Sequence, residues 1–206
     1  MEQQGFNDFT KASFARLLKH FEDNTDNIVK LTRAFALATK AHKDHFMDNN
    51  EPHVNHSLRT ALILADELHM YDVNVASAAL LHDALQGVQE QEIREECGDR
   101  VAEIVQAVAE PRLKQQGIGG SGATISEKER GKILDNYFAK LAKSPKEARC
   151  VKLADRLDTA RSMKTYAYRE SALRFKEETQ KYAVPLAQAT DERLAFKLSV
   201  ALYEIK

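Results

Sequence analysis

Several residue types are scarce in this chain of 206 residues, and each scarcity excludes a class of protein. The two cysteines, Cys97 and Cys150, are too few for a disulfide scaffold and too far apart for a Cys-x-x-Cys motif. We interpret them as buried free thiols. Positive charge is not in excess, because 30 Lys and Arg residues face 31 Asp and Glu residues. The chain therefore lacks the strongly basic field that binds nucleic-acid phosphates, and we expect no nucleic-acid partner.

Long apolar runs are also missing. The longest stretches, such as residues 76–81, are far shorter than the ~20 residues that cross a bilayer. The first residues, Met1 to Gln4, lack the basic and then apolar pattern of a secretion signal. We therefore expect a cytoplasmic protein that has no membrane partner.

Glycine and proline are rare, and four of the eight glycines fall within residues 117–122. Elsewhere apolar residues recur at helical spacing, and no segment alternates long enough to predict a strand. Two such stripes are Leu58, Ala61, Leu62, Ala65 and Leu68, and Leu194, Leu198, Ala201 and Leu202. We predict an all-α single domain over residues 1–206, with a flexible Gly-rich loop near 111–126. The ten predicted helices cover residues 7–22, 27–46, 56–70, 73–86, 90–97, 99–110, 127–143, 146–162, 168–182 and 189–204.

Polar residues occur where the pattern predicts a buried position. The adjacent His82 and Asp83 lie in a segment that is apolar on nearly every face, and helical spacing places Asp155 on the face of two apolar neighbours. His56 begins the helix of the first stripe. Burying an unpartnered carboxylate costs several kcal/mol at least. A shared divalent cation would satisfy these two imidazoles and two carboxylates.

A salt-bridged core is the alternative interpretation of the same residues. Asp155 would then pair with Arg156 or another arginine, and a buried histidine would hydrogen-bond a carbonyl group. Adjacent residues on a helix diverge by ~100°, so His82 and Asp83 share an ion only if it lies between their directions. The other histidines are expected to be structural or surface residues. These are His20, His42, His45, His53 and His69.

A cationic stripe lies on the helix of Asp155, formed by Arg149, Lys152 and Arg156. Arginine offers a bidentate fork and lysine a point charge, and both bind phosphate oxygens. The stripe therefore predicts phosphate contacts beside the proposed ion. Its alternative interpretation is an ordinary solvated helix face.

The order His56, His82-Asp83 and Asp155 resembles the signature of the HD superfamily of metal-dependent phosphohydrolases. The segments 41–42, 51–56, 78–83 and 151–157 look more closely like the hydrolase domain of RelA/SpoT proteins and the stand-alone small alarmone hydrolases. The resemblance implies a single HD-type helical domain with a central Mn²⁺ site, whose ligands are His56, His82, Asp83 and Asp155. It also implies removal of the 3′-pyrophosphate from (p)ppGpp, a small-molecule nucleotide, by hydroxide bound to the metal.

The chain departs from the family pattern at other positions. The acidic pair associated with the attacking water is replaced by Gln86 and Gly87, which take up no proton near neutral pH. Met47 stands at the position of the arginine that stacks on guanine, and His53 at that of a tyrosine. Thr159 replaces an asparagine. The implied substrate-binding residues are Lys152, Arg156, Met47 and Thr159.

Two functions follow from this mixture of retained and altered residues. The first is a metal-dependent nucleotide phosphohydrolase, in which Glu90 or Glu92 replaces the lost acid. The second is a catalytically silent module that binds metal and a phosphorylated nucleotide. A helical scaffold without an ion is a weaker third alternative.

Overall fold

The computed structural model describes residues 7–43, 45–47, 51–111, 126–164 and 168–206. Within these ranges the chain forms eleven α-helices and no strand. Their bounds are α1 Asp8–Lys19, α2 Thr25–Ala41, α3 Val54–Leu62, α4 Val73–Leu80, α5 Glu90–Cys97, α6 Asp99–Val108, α7 Glu127–Ala142, α8 Lys146–Met163, α9 Arg169–Glu178, α10 Val184–Gln188 and α11 Glu192–Tyr203. The all-α prediction is confirmed. The glycines of the predicted loop, residues 117–122, lie outside the described residues.

Helix α8 lies at the centre of the packing. It contacts α3, α4, α6 and α11, and most of its residues are buried. Cys97 and Cys150 are buried and free, as predicted, and burial raises the pKa of both thiols to about 11. Because a thiol with this pKa is protonated at neutral pH, both cysteines act as small apolar core residues.

Helix starts were easier to predict than helix ends. Helix α7 begins at Glu127, as predicted, and Ser126 and Glu129 form a capping box there. The prediction 27–46 was wrong at its end, because α2 stops at Ala41 and a β-bridge joins Phe46 to Pro52. The prediction 73–86 was also wrong at its end, because α4 stops at Leu80 and a 3₁₀ turn covers Ala84–Gln86.

The C-terminal region contains one more helix than predicted. Pro185 lies in the first turn of α10, directly after a π-helical turn, Thr179–Ala183, and has no N–H to donate. Asp191 then caps α11 by accepting a hydrogen bond from the Arg193 N–H. None of the helices in the described ranges is both long and apolar enough to span a membrane.

Glu67 ties three parts of the fold together. It lies in a π-helical turn, Ile63–Glu67, that continues α3. Its carboxylate accepts hydrogen bonds from Arg161 of α8 at 2.7 and 2.9 Å. It also lies 2.8 Å from the ammonium group of Lys197 on α11.

The Glu67 network predicts a pH-dependent contribution to stability. Hydrogen bonds from Arg161 and Lys197 lower the pKa of Glu67 to about 2. A lowered carboxyl pKa adds stability above the unfolded pKa near 4.5, and that stability is lost as the pH falls towards 2. We expect Glu67→Gln to reduce the free energy of unfolding by about 1 kcal/mol at pH 7, since both cations are partly exposed. The difference should shrink below pH 4 in urea titrations. An equal effect of Glu22→Gln, at an exposed position, would contradict this assignment.

Candidate metal centre and its surroundings

Three side chains from distant parts of the chain meet in the interior. His56 comes from α3, His82 follows α4 and Asp155 belongs to α8, and all three are buried. Their ligand atoms lie within 4.8 Å of one another. Asp155 Oδ1 is 3.1 Å from His56 Nε2 and 3.7 Å from His82 Nε2. This is the only group in the described ranges with three such residues placed to hold a metal ion.

Asp83 joins this cluster through His82. Its Oδ2 atom lies 3.3 Å from His82 Nε2. Because α4 ends at Leu80, these two residues lie in a turn and not on a helix, contrary to the prediction. Leu81 and Asp83 have φ and ψ near −105° and 5°, outside helical values. The turn thereby brings the two adjacent side chains together, which a regular helix would have directed apart.

The hydrogen bonding of His82 suits a metal ligand. Its Nδ1 atom lies 2.9 Å from the carbonyl oxygen of Ala79, so Nδ1 carries the proton. Its Nε2 atom is buried and has no hydrogen-bond partner among the described residues. In the neutral ring, a lone pair on Nε2 faces the carboxylates of Asp83 and Asp155. Three electron-rich atoms facing one another call for a cation between them, so these residues fit a divalent metal ion.

The carboxylate of Asp158 orients the ring of His56. His56 Nδ1 donates a hydrogen bond to Asp158 Oδ2 at 2.7 Å, which leaves Nε2 facing Asp155. Asp158 in turn accepts a hydrogen bond of 2.9 Å from Arg59 Nε, and Arg59 is held by Glu51 at 2.6 Å. Carboxylate–histidine pairs of this kind orient metal ligands and raise their basicity. The sequence argument missed Asp158, although its position three residues after Asp155 placed it on the same helix face.

The electrostatics of the cluster favour a positive charge at its centre. Burial alone would lower the pKa of His56, but Asp155 and Asp158 together raise it to about 10. Burial likewise opposes the charged form of His82, yet Asp83 and Asp155 raise its pKa overall. The two nitrogens and two carboxylates form a mixed ligand set that suits divalent transition metals.

Lys152 and Arg156 lie next to the cluster, and both are buried. Lys152 Nζ is 2.7 Å from Asp155 Oδ2, and the Arg156 guanidinium lies 5.8 and 5.1 Å from the ring centres of Phe138 and Phe175. The solvated-face interpretation is therefore wrong for these two residues. Arg149, the third cation of the predicted stripe, shares no ion pair with Asp155 in the described part of the chain.

A single carboxylate, Glu110, binds both cations. Its Oε1 atom lies 2.7 Å from Lys152 Nζ and 3.1 Å from Arg156 Nη2. Burial raises the pKa of Glu110, but the two cations outweigh this effect and lower it. Glu110 is therefore ionised at neutral pH. The sequence argument missed it, because it follows the end of α6 and belongs to no periodic pattern.

A row of histidine rings extends from the metal cluster. The ring centres of His82 and His56 are 5.0 Å apart, those of His56 and His53 5.7 Å, and those of His53 and His42 4.3 Å. Burial, which is the largest cause, lowers the pKa of His42 to about 3 and that of His53 to about 4. Both are thus neutral at pH 7 and buttress the site. His20 instead pairs with Asp66, and His45 and His69 are exposed.

The positions of the missing acidic pair differ in how much room they offer. Gln86 is exposed. Gly87 lies against the end of α2, so a Cβ atom there would be 2.4 Å from the Ala41 carbonyl oxygen and 2.8 Å from its Cα. Contact with rigid backbone excludes any side chain at position 87 unless α2 moves.

The remaining candidate residues are engaged in local contacts. Thr159 Oγ1 donates a hydrogen bond of 3.0 Å to the backbone oxygen of Asp155. Met47 is partly buried in an extended segment, where its N–H donates to the Glu51 carbonyl. Glu90 pairs with Arg94, and Glu92 pairs with Lys40.

The position of Asp158 behind His56 predicts its effect on metal binding. We expect Asp158→Asn to weaken binding of Mn²⁺ by roughly tenfold or more, because the side chain keeps its size but loses the charge that supports His56. Calorimetric titration with MnCl₂ measures this. Asp135→Asn, an exposed change on α7, serves as the control. Equal affinities for Asp158→Asn and the control would show that His56 needs no such support.

Comparison with known proteins agrees with this geometry. Residues 34–191 match the family model described as HD domain. The chain is 31% identical over 176 residues to a guanosine-3′,5′-bis(diphosphate) 3′-pyrophosphohydrolase of Aquifex aeolicus, covering 84% of this chain and 23% of that protein. A Danio rerio relative with the same description, MESH1, is 28% identical over 144 residues, covering 68% of this chain and 72% of the relative.

A solved structure shares the fold. It is described as a metazoan ortholog of SpoT that hydrolyzes ppGpp, and it superimposes with a TM-score of 0.70 at 23% identity, covering 85% of this chain and 94% of that one. The chain spans only 23% of the Aquifex relative and 18% of a Streptomyces coelicolor GTP pyrophosphokinase that is 28% identical. The family model, in contrast, matches more than half of the chain. Together with the buried His, His and Asp cluster, this match shows that the chain belongs to the HD domain family.

Proposed function

We propose that this chain is a metal-dependent phosphohydrolase that removes the 3′-pyrophosphate from guanosine polyphosphates such as ppGpp. The observation that carries the proposal is the buried cluster of His56, His82 and Asp155, in which His82 Nε2 has no hydrogen-bond partner in the described structure and faces two carboxylates. The Aquifex and Danio relatives bear the name of this activity, and the solved neighbour is described by it. The substrate would be a small phosphorylated nucleotide, and the cytoplasmic location expected from the sequence stays a prediction.

The proposed ligands of the ion are His56, His82, Asp83 and Asp155, and the proposed ion is Mn²⁺. The mixed nitrogen and oxygen ligand set and the carboxylate behind His56 support this choice. When bound, the ion would polarise the phosphate and lower the pKa of water. The residues are proposed to act within one domain over 1–206.

Lys152 and Arg156 are proposed to hold the negative charge of the phosphates. Both cations are buried beside Asp155, where the low dielectric strengthens their attraction for an anion. Met47 is proposed to lie against the purine ring, and Thr159 to contact the nucleotide near Asp155. A thioether contacts a ring by dispersion and makes no cation–π interaction, so we expect weaker guanine selection than an arginine would give.

A second candidate function is a silent module that binds metal and nucleotide without cleaving it. Gly87 favours this alternative, since the backbone of Ala41 leaves no room for an acidic side chain there. Glu90 and Glu92, the proposed replacements, are each paired with a cation of their own. The phosphate-binding side of the site is the same in both functions, and only turnover separates them.

Hydrolysis assays test the main proposal. With MnCl₂, the purified chain should release pyrophosphate from ppGpp faster than it releases phosphate or pyrophosphate from NADPH or simple nucleotides. We expect His82→Ala to reduce the rate at least about a hundredfold, because it removes a proposed metal ligand. His69→Ala, at an exposed position, is the matched control. If no substrate is turned over faster with metal and His82→Ala changes nothing, the chain is not a metal-dependent hydrolase.

Substitution of the missing acidic pair separates the two functions. Gln86→Glu places a carboxylate at an exposed position without disturbing the packing. A large gain in ppGpp hydrolysis would favour a silent natural protein, whereas unchanged high activity would count against silence. Gly87→Asp should instead destabilise the protein by about 1–3 kcal/mol or more through its clash with Ala41. Thermal unfolding of both variants distinguishes a loss of fold from a change in chemistry.

A further inference from the structure

The link between Glu110 and the metal cluster is short. Glu110 Oε1 contacts Lys152 Nζ at 2.7 Å, and the same ammonium group contacts Asp155 Oδ2 at 2.7 Å. The other oxygen of Asp155 faces His56 and His82. A single lysine thus separates the Glu110 carboxylate from a proposed metal ligand, so Glu110 occupies the place where an anion beside the ion would bind.

The two cations are buried, whereas the carboxylate is partly exposed. The side chains of Lys152 and Arg156 are 4% and 8% exposed, and that of Glu110 is 37% exposed. Both cations are on α8, and aromatic rings from α7 and α9 flank Arg156. Glu110 lies beyond the last residue of α6, Val108, so a rotation of its side chain breaks no helical hydrogen bond. The cations are therefore held by the packing, and Glu110 is the exposed member of the three.

A phosphate group matches the subsite formed by Lys152 and Arg156 better than a carboxylate does. Glu110 engages Arg156 only through Nη2, and Arg156 Nε is buried with no hydrogen-bond partner in the described part of the chain. A phosphate presents more oxygens and carries a charge near −2, so it would engage Lys152 together with more of the guanidinium donors. Glu110 therefore leaves at least one donor of this guanidinium unused.

We infer that Glu110 competes with phosphate for this subsite: its carboxylate neutralises Lys152 and Arg156 until a phosphate group of the ligand displaces it. The inference rests on the proposed function and assigns a specificity-determining role to a residue outside the metal cluster. A ligand with a single negative charge gains little by replacing a carboxylate, whereas a phosphate or pyrophosphate gains a net charge interaction. Glu110 therefore selects for ligands with multiply charged phosphates.

Binding of inorganic phosphate and pyrophosphate tests this role directly. Isothermal titration would compare the wild type with Glu110→Gln, both with MnCl₂ and without metal. The amide keeps the size of the side chain but gives up its charge, so both anions should bind roughly fivefold more tightly or better. Glu103→Gln, an exposed change on α6, is the matched control and should leave the affinities unchanged. Affinities that fall or stay the same in Glu110→Gln would overturn the inference, because Glu110 would then position the cations.

A second variant keeps the test informative if Glu110→Gln does not fold. Glu110→Asp retains the charge but shortens the side chain, so its carboxylate reaches the two cations less well. It should bind phosphate more tightly than the wild type, and an unchanged or weaker affinity would overturn the inference. The absence of phosphate binding in every folded variant would overturn it as well.

The outcome is separable from that of the proposed function. If Glu110→Gln binds phosphate more tightly and the wild type does not hydrolyse ppGpp, the competitor role is supported and the hydrolase proposal is wrong. If the wild type hydrolyses ppGpp but Glu110→Gln binds phosphate no more tightly, the hydrolase proposal is supported and Glu110 is not a competitor.

Discussion

The close approach of electron-rich side chains in the protein interior is the constraint around which the site is arranged. His82 Nε2 lies close to the carboxylates of Asp83 and Asp155; His82 and Asp155 are buried and Asp83 is partly exposed. A positive charge among these groups stabilises their burial. The backbone brings these groups together, because α4 stops at Leu80 and the following turn directs His82 and Asp83 to the same cluster. Asp158 then fixes the orientation of His56. The convergence of these side chains is thus a property of the fold itself.

The sequence predicted those site residues whose burial followed from their immediate neighbours. The burial of His82 followed from the apolar run around it, and that of Asp155 followed from helical spacing. Glu110 escaped notice because its role depends on contacts with residues more than forty positions away. The end of α4 was also missed, because no proline or glycine marks it. Hydrogen bonds from the Leu81 N–H to the carbonyl oxygens of Ser77 and Ala78 close the turn there. Local patterns predict helices well, whereas helix ends and ion pairs between distant segments depend on tertiary packing.

The two sides of the site differ in how closely they follow the family pattern. On the side of the candidate metal centre, His56, His82 and Asp155 come together with a supporting carboxylate, and two buried cations lie beside them. On the side that would meet the base, Met47 and His53 stand where the pattern has an arginine and a tyrosine. His53 is also stacked on His42, so one face of its ring is already covered. The departures from the family pattern are therefore concentrated on the side proposed to meet the base and at the acidic pair, and the cluster of His56, His82 and Asp155 keeps the pattern.

The contact between Gly87 and the end of α2 has an evolutionary consequence. A mutation at position 86 meets only solvent, whereas any mutation at 87 must be preceded by a shift of the helix that carries Ala41. A lineage with this packing reaches the two-carboxylate form only through an intermediate that loosens α2, and selection for stability opposes that intermediate. The two positions of the acidic pair thus differ in cost: a carboxylate at 86 needs no other change, whereas one at 87 also needs a displacement of α2.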